Sequence, residues 1–175
     1  MSRIRNIYLC EGETEQKFIN TLKSNDLLIK GKIDIFNFAQ RDISKIVRKY
    51  NYRSDYLIII VDTDIFSEAT ICENIKILNK NKFKFCIFFQ NQNLEDELKI
   101  CCNKSSLINL YKDFYNVSSS NEFKQRFIKD NSLRDKLNSN SFNIIKLWSN
   151  GFELICVLSN NRCRREKIII GELYE

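Results

Sequence analysis

The chain has 175 residues, no histidine, seven cysteines and a formal net charge of +6. That length suits one compact domain burying about 70% of its unfolded surface, and no apolar run approaches the ~20 residues that span a bilayer. Without histidine, Ser-His-Asp and Cys-His mechanisms are excluded and structural zinc is disfavoured, leaving carboxylates, lysines or a hard, oxygen-bound ion to carry any chemistry.

The first hundred residues alternate strand and helix patterns. Residues 4–10 form a short apolar strand, and 15–23 predicts a helix with Phe18, Ile19 and Leu22 on one face. Residues 32–38 alternate apolar and polar as a half-buried strand does, and Ile43, Ile46, Val47 and Tyr50 fall at helical spacing. "YLIIIV" at 56–61 is a continuous apolar run, as expected of a central parallel strand covered on both faces. A helix bearing Ile71, Ile75 and Leu78 follows, then the strand "FKFCIFF" at 83–89 and a helix with Leu94, Leu98 and Cys101 on one side. Four strands alternating with helices predict an α/β fold with right-handed crossovers and a Rossmann-like central parallel sheet of about four strands. Residues 104–138 read as helical, with a break or cap at "SSSN", 118–121. Further strands are predicted at 152–158 and 167–170. The expected organisation is an α/β core at 1–102 with a helical, then mixed, extension at 103–175 packed on it.

Cysteines in apolar runs (Cys10, Cys86, Cys156) without CxxC spacing favour reduced core thiols over a disulfide framework. The N-terminus lacks a signal-peptide pattern, so a cytoplasmic protein with no membrane association is expected. Eighteen lysines beside twenty-one asparagines mark a compositional bias, so the net charge alone does not argue for nucleic acid. Residues 1–102 carry 16 basic and 14 acidic residues, against 12 and 8 in 103–175. The excess lies in the C-terminal part, which is compatible with a phosphate-facing surface there.

The acids sit where a parallel sheet binds its ligands, at the carboxyl ends of strands. "CEGETE" (10–15) drives the first strand into Glu11, with Gly12 suiting a tight turn and Glu15 in the first turn of the next helix. "VDTD" (61–64) places Asp62 and Asp64 after the third strand, two residues apart and on one side of an extended chain. Four carboxylates from two strand ends would repel and raise one another's pKa unless a cation neutralised them, and Mg²⁺ suits sparse protein ligation completed by water and phosphate. Glu13 reads as a dipole-favoured acid of the helix start.

Strand-Glu-Gly-x-x-Glu followed about fifty residues on by strand-Asp-x-Asp resembles the TOPRIM domain shared by topoisomerases, bacterial primases and OLD-type nucleases. The short chain and the "CEGETE" wording are most similar to small stand-alone TOPRIM proteins, the RloB-like and OLD-related group associated with phage defence. The resemblance covers about residues 4–100. It implies a Mg²⁺- or Mn²⁺-dependent nuclease acting on DNA or RNA, with Glu11 in acid/base catalysis or metal binding. Asp62 and Asp64 would bind the ion, with Glu15 assisting. Glu95, in "NQNLEDELK" (91–99), matches a glutamate of the RloB-like pattern, whose proline and phenylalanine are missing here. The residues alone are equally well read as a solvated helix start capped by Asn93.

Arg162, Arg164, Arg165 and Lys167 in "RCRREK" could hold nucleic-acid phosphates, or form a charged turn with Glu166, Glu172 and Glu175. A function of another class is a non-catalytic or regulatory TOPRIM subunit that binds nucleic acid or an ATPase. The chain has no GxxxxGK[ST] loop of its own, and OLD-related systems couple TOPRIM to an ATPase, so a separate ATPase subunit fits that reading. Both leave room for a homo-oligomer.

Overall fold

Apolar strand runs and amphipathic helices assemble into three layers in a computed structural model, which describes residues 4–65, 67–149 and Ile168. Four parallel strands, β1 (Arg5–Cys10), β2 (Lys32–Ile35), β3 (Asp55–Val61) and β4 (Lys84–Phe89), lie in the order β2-β1-β3-β4. Between them run α1 (Glu13–Ser24), α2 (Ser44–Val47) and α3 (Glu68–Lys80). After β4 come α4 (Leu94–Cys101), α5 (Leu107–Tyr115), α6 (Ser120–Lys129) and α7 (Leu133–Ser139).

The period-2 alternation of the strands feeds two cores. Tyr8, Cys10, Ile58 and Ile60 pack with Phe18, Ile19 and Leu22 of α1 and with the helices after β4. Ile7, Leu9, Leu57, Ile59 and Val61 pack on the other face with Val47 of α2 and Ile71, Ile75 and Leu78 of α3. With α1 on one face and α2 and α3 on the other, the winding direction reverses between β1 and β3. Such a switch point leaves a crevice at the carboxyl ends of the two strands.

The expected strand at 32–38 is paired only over Lys32–Ile35, and the helix expected around 43–50 is the single turn of α2. Phe36, Phe38, Ala39 and Ile43 are nonetheless buried, so the apolar spacing there anchors a loop to the core. Cys10, Cys86, Cys101 and Cys102 are buried thiols, as expected, whereas Cys72 of α3 is disulfide-bonded, against the expectation of reduced cysteines. The break at 118–121 is a helix start, with the Ser119 hydroxyl accepting from the Glu122 N–H. Of the strands predicted at 152–158 and 167–170, only Ile168 is described; it is buried, and its carbonyl accepts from the Ile29 N–H (3.1 Å). No described helix is long and apolar enough to cross a membrane.

The amino edge of the sheet holds a structural acid. Asp55 opens β3 opposite Arg5 of β1 and is buried. Its carboxylate accepts from Arg5 Nε (3.0 Å), Arg5 Nη2 (2.8 Å) and the Asn51 N–H (2.8 Å). Burial alone would raise its pKa, but these hydrogen bonds prevail and hold the carboxyl below its ordinary value. A depressed folded pKa contributes stability at neutral pH that is lost as pH falls through the folded value. Asp55→Ala is therefore expected to cost ~1.5–3 kcal/mol at pH 7, as the Asn51 N–H and the Arg5 guanidinium lose a charged acceptor. Urea unfolding at pH 7 and pH 3 checks this: the gap to wild type should narrow at acid pH, and a variant within ~0.5 kcal/mol of wild type at pH 7 would refute it.

Candidate functional site

The opposite edge gathers five acids, of which, among the described residues, Glu95 alone forms an ion pair. Glu11 follows the last residue of β1, and Glu15 is the third residue of α1. Gly12 caps α1 with extended backbone (φ −147°), so no left-handed turn requires a glycine there. The reason is space: a Cβ at position 12 would stand 3.1 Å from Oε2 of Glu15. Glu15 is buried and Glu11 half-buried.

Asp62 continues the alternation of Ile58 and Ile60, and so belongs to the face that carries α1, α4 and α6. It is 8% exposed and accepts from Gln90 Nε2 at 2.7 Å. The chain bends immediately afterwards, so Asp62 and Asp64 do not share one side of an extended segment as their spacing suggests. Asp64 is exposed, accepting from its neighbour's N–H at Ile65 (2.6 Å) and from Asn93 Nδ2 (3.4 Å). The ends of β3 and β4 are tied together: the Thr63 N–H and Asp64 N–H donate to the Gln92 carbonyl (2.6 and 3.0 Å), and Thr63 Oγ1 donates to that of Gln90 (2.9 Å).

Glu95 completes the group from α4. Asn93 caps this helix by accepting from the Asp96 N–H (3.1 Å), as expected, but Glu95 is not the solvated residue that a capped surface helix implies. It is 3% exposed and accepts from Lys124 Nζ (3.2 Å) and Ser120 Oγ (3.3 Å) of α6. Its neighbours are structural: Asp96 pairs with Lys99 (2.6 Å), and Glu97 accepts from the Asn91 N–H (3.0 Å) and the Trp148 N–H (2.5 Å).

These five acids share one field. Burial raises the Asp62 carboxyl, and Glu15, Glu11, Asp64 and Glu95 push it further, to about 8. Burial and then Asp64 raise Glu11, opposed by Lys124, a hydrogen bond from Asn37, and Arg41. Burial raises Glu15 as well, opposed by its own backbone N–H, with Glu95 adding to the rise. Burial works against the charge on Lys124, but Glu95, Glu15 and Asp62 hold its pKa above the ordinary value. Among the described residues, no three acid or thiol side chains stand close enough around one point to form a ready-made ion site.

Gln90 supplies a further donor. It is 2% exposed, Nε2 is committed to Asp62, and Oε1 is buried without a hydrogen-bond partner among the described residues. A buried acceptor left unpaired costs free energy and marks a place where something else can bind. The donor set here is hard oxygen throughout, which suits Mg²⁺ or Mn²⁺.

Sequence reasoning misses Gln90, Lys124, Asn37 and Arg41. Gln90 carries a weak signal, as the polar residue ending "FKFCIFFQ". Lys124 carries none, since it lies beside the apolar stripe Phe123 and Phe127 like any surface lysine. Arg162, Arg164, Arg165 and Lys167 lie outside the described residues. No family model, curated protein or solved structure matches the chain.

Proposed function

We propose that the chain is a TOPRIM-type phosphodiesterase, hydrolysing DNA or RNA with Mg²⁺ or Mn²⁺. The observation that carries this reading is the contrast between the two ends of β3. At the amino end, buried Asp55 has an arginine and an amide to satisfy it. At the carboxyl end, buried Asp62 faces four further carboxylates, and its one hydrogen-bond partner among the described residues is the uncharged amide of Gln90. A fold does not keep such a cluster for stability; desolvated like charges at a sheet switch point are the mark of a working site.

Glu11, Glu15, Asp62 and Asp64 are the residues that would hold a divalent ion, with Glu95 at its margin. Bound there, the ion would supply charge stabilisation at the phosphoryl oxygens and lower the pKa of the attacking water. Glu11, half-buried and raised in pKa, would be the residue to take the proton of a water attacking phosphorus. Gln90 fixes the rotamer of Asp62. Lys124 balances Glu95 and reaches Glu15 and Asp62 through space, limiting repulsion among the acids.

The test is cleavage by the purified chain of supercoiled plasmid, single-stranded DNA and total tRNA, each with Mg²⁺, Mn²⁺ or EDTA. Ion-dependent cleavage of at least one substrate is expected, abolished by EDTA. A chain that binds these polymers and cuts none with either ion would instead be a regulatory or binding subunit, and hydrolysis would be withdrawn.

A further inference from the structure

The loop between β2 and α2 is built more firmly than a connection requires. Phe36, Phe38 and Ala39 are buried, and the Phe36 N–H donates to the Cys10 carbonyl (2.7 Å), carrying the loop alongside the end of β1. Asn74 of α3, 1% exposed, serves as its hub: Nδ2 donates to the carbonyls of Phe38 (2.9 Å) and Arg41 (2.8 Å), and Oδ1 accepts from the Ile43 N–H (2.8 Å). The Arg41 N–H donates to the Asn37 carbonyl (3.0 Å), so both backbone groups of Arg41 are fixed. Asn37 Oδ1 accepts from the Gln40 N–H (3.0 Å), and its side chain favours the charged form of Glu11. Gln40 Nε2 donates to the Ile65 carbonyl (3.1 Å), joining this loop to the one that bears Asp64.

The result is a rigid backbone carrying an exposed arginine beside Glu11. The nearest acid in sequence, Asp42, is occupied with the Ser44 N–H (2.8 Å). Among the described residues Arg41 forms no ion pair. Lys124, the cation that acts on Glu11 from α6, is by contrast engaged with Glu95. A guanidinium with its fork unspent suits a phosphate, which it can grip bidentately, and a fixed backbone lowers the ordering cost of doing so.

We propose that Arg41, set by the Asn37–Asn74 loop frame, binds a backbone phosphate of a nucleic-acid strand lying across the carboxyl edge beside Glu11. This rests on the phosphodiesterase reading and places strand contact on the β2–α2 loop, independently of the C-terminal arginines.

Fluorescence anisotropy tests it, using labelled 20-mer single-stranded DNA, RNA and duplex DNA of unrelated sequences, titrated across a salt series in Ca²⁺ to suppress cleavage. Arg41→Gln should weaken binding about 3- to 10-fold on every probe that wild type binds. It should also reduce the slope of log K against log salt by ~0.7–0.9, the signature of one lost phosphate contact. Arg41→Lys should keep the wild-type slope, because the charge remains. Melting temperature should not change, since the loop's hydrogen bonds to residue 41 are to its backbone. A wild-type slope and affinity in Arg41→Gln would overturn the proposal, and so would a wild-type chain that binds none of the probes. Failure of the hydrolysis reading is separate: wild type would then bind without cutting in Mg²⁺ or Mn²⁺, while the altered salt slope of Arg41→Gln would still support the contact.

Discussion

Glu11→Gln is expected to lower phosphodiester turnover by at least ~10²-fold while leaving the far-UV circular dichroism unchanged, the scale of loss when an acid/base or ion-positioning group is removed. Gln is nearly isosteric with Glu, and Glu11 packs into no apolar core: it is half-buried, just past the end of β1. Its neighbours tolerate the change. The Asn37 amide can face a glutamine oxygen as it faces the carboxylate, and Lys124 and Arg41 act on Glu11 only through space. What disappears is the negative charge, and with it the capacity to take a proton or ligate an ion. Removing one acid from a group of mutually repelling acids should also stabilise the ion-free fold slightly. The telling result is therefore loss of activity without loss of stability. Turnover within a few-fold of wild type would reduce Glu11 to an ordinary acid at a helix start.

The fold was legible wherever burial alone sets the pattern. The continuous run at 56–61 is apolar because β3 is central and covered on both faces, and its strand neighbours follow from the same logic. The segment at 32–50 was only half legible. Its apolar residues are buried as their spacing implies, but the spacing does not reveal that Phe36, Phe38 and Ile43 serve a loop pinned by Asn74 from thirty residues away. Long-range polar contacts of this kind leave no periodic trace. At the site, Glu11, Glu15, Asp62 and Asp64 could be placed because strand ends and turn residues are local signals. The burial of Glu95 could not, because it depends on α6 folding back to bring Ser120 and Lys124 against it. The strand order β2-β1-β3-β4, which makes the ends of β1 and β3 neighbours, is likewise a property of the assembled sheet.

Asp62→Asn should make the ion-free protein more stable at alkaline pH while abolishing both cleavage and the response to Mg²⁺. The wild-type carboxyl, buried and facing Glu15 and Glu11 of β1–α1, Asp64 of its own loop and Glu95 of α4, is pushed up to about 8. Lys124 of α6 is the cation that answers it, and the adjoining Gln90 amide is neutral. In the unfolded chain an aspartate titrates near ~4. A folded pKa above the unfolded one means that the folded state holds its proton longer, so the contribution is fully present below pH ~4 and is lost as pH rises toward about 8. Above that, wild type carries a buried charge whose cost is on the order of a few kcal/mol, and the variant's amide carries none. The side-chain oxygen of that amide can still accept from Gln90 Nε2, as the carboxylate does, so the packing of the two strand ends should survive. At ~2–4 °C per kcal/mol for a chain of this size, the variant should melt ~5 °C or more above wild type at pH 8.5 in EDTA, with the gap closing toward pH 4. Adding Mg²⁺ should raise the wild-type melting temperature, because an ion bound only by the folded state stabilises it by mass action, and should leave the variant nearly unmoved. Thermal melts of both proteins across pH and Mg²⁺ concentration decide the matter. A variant that melts below wild type at pH 8.5 in EDTA would make Asp62 a structural acid, and an equal Mg²⁺ response in the two proteins would remove Asp62 from any ion site.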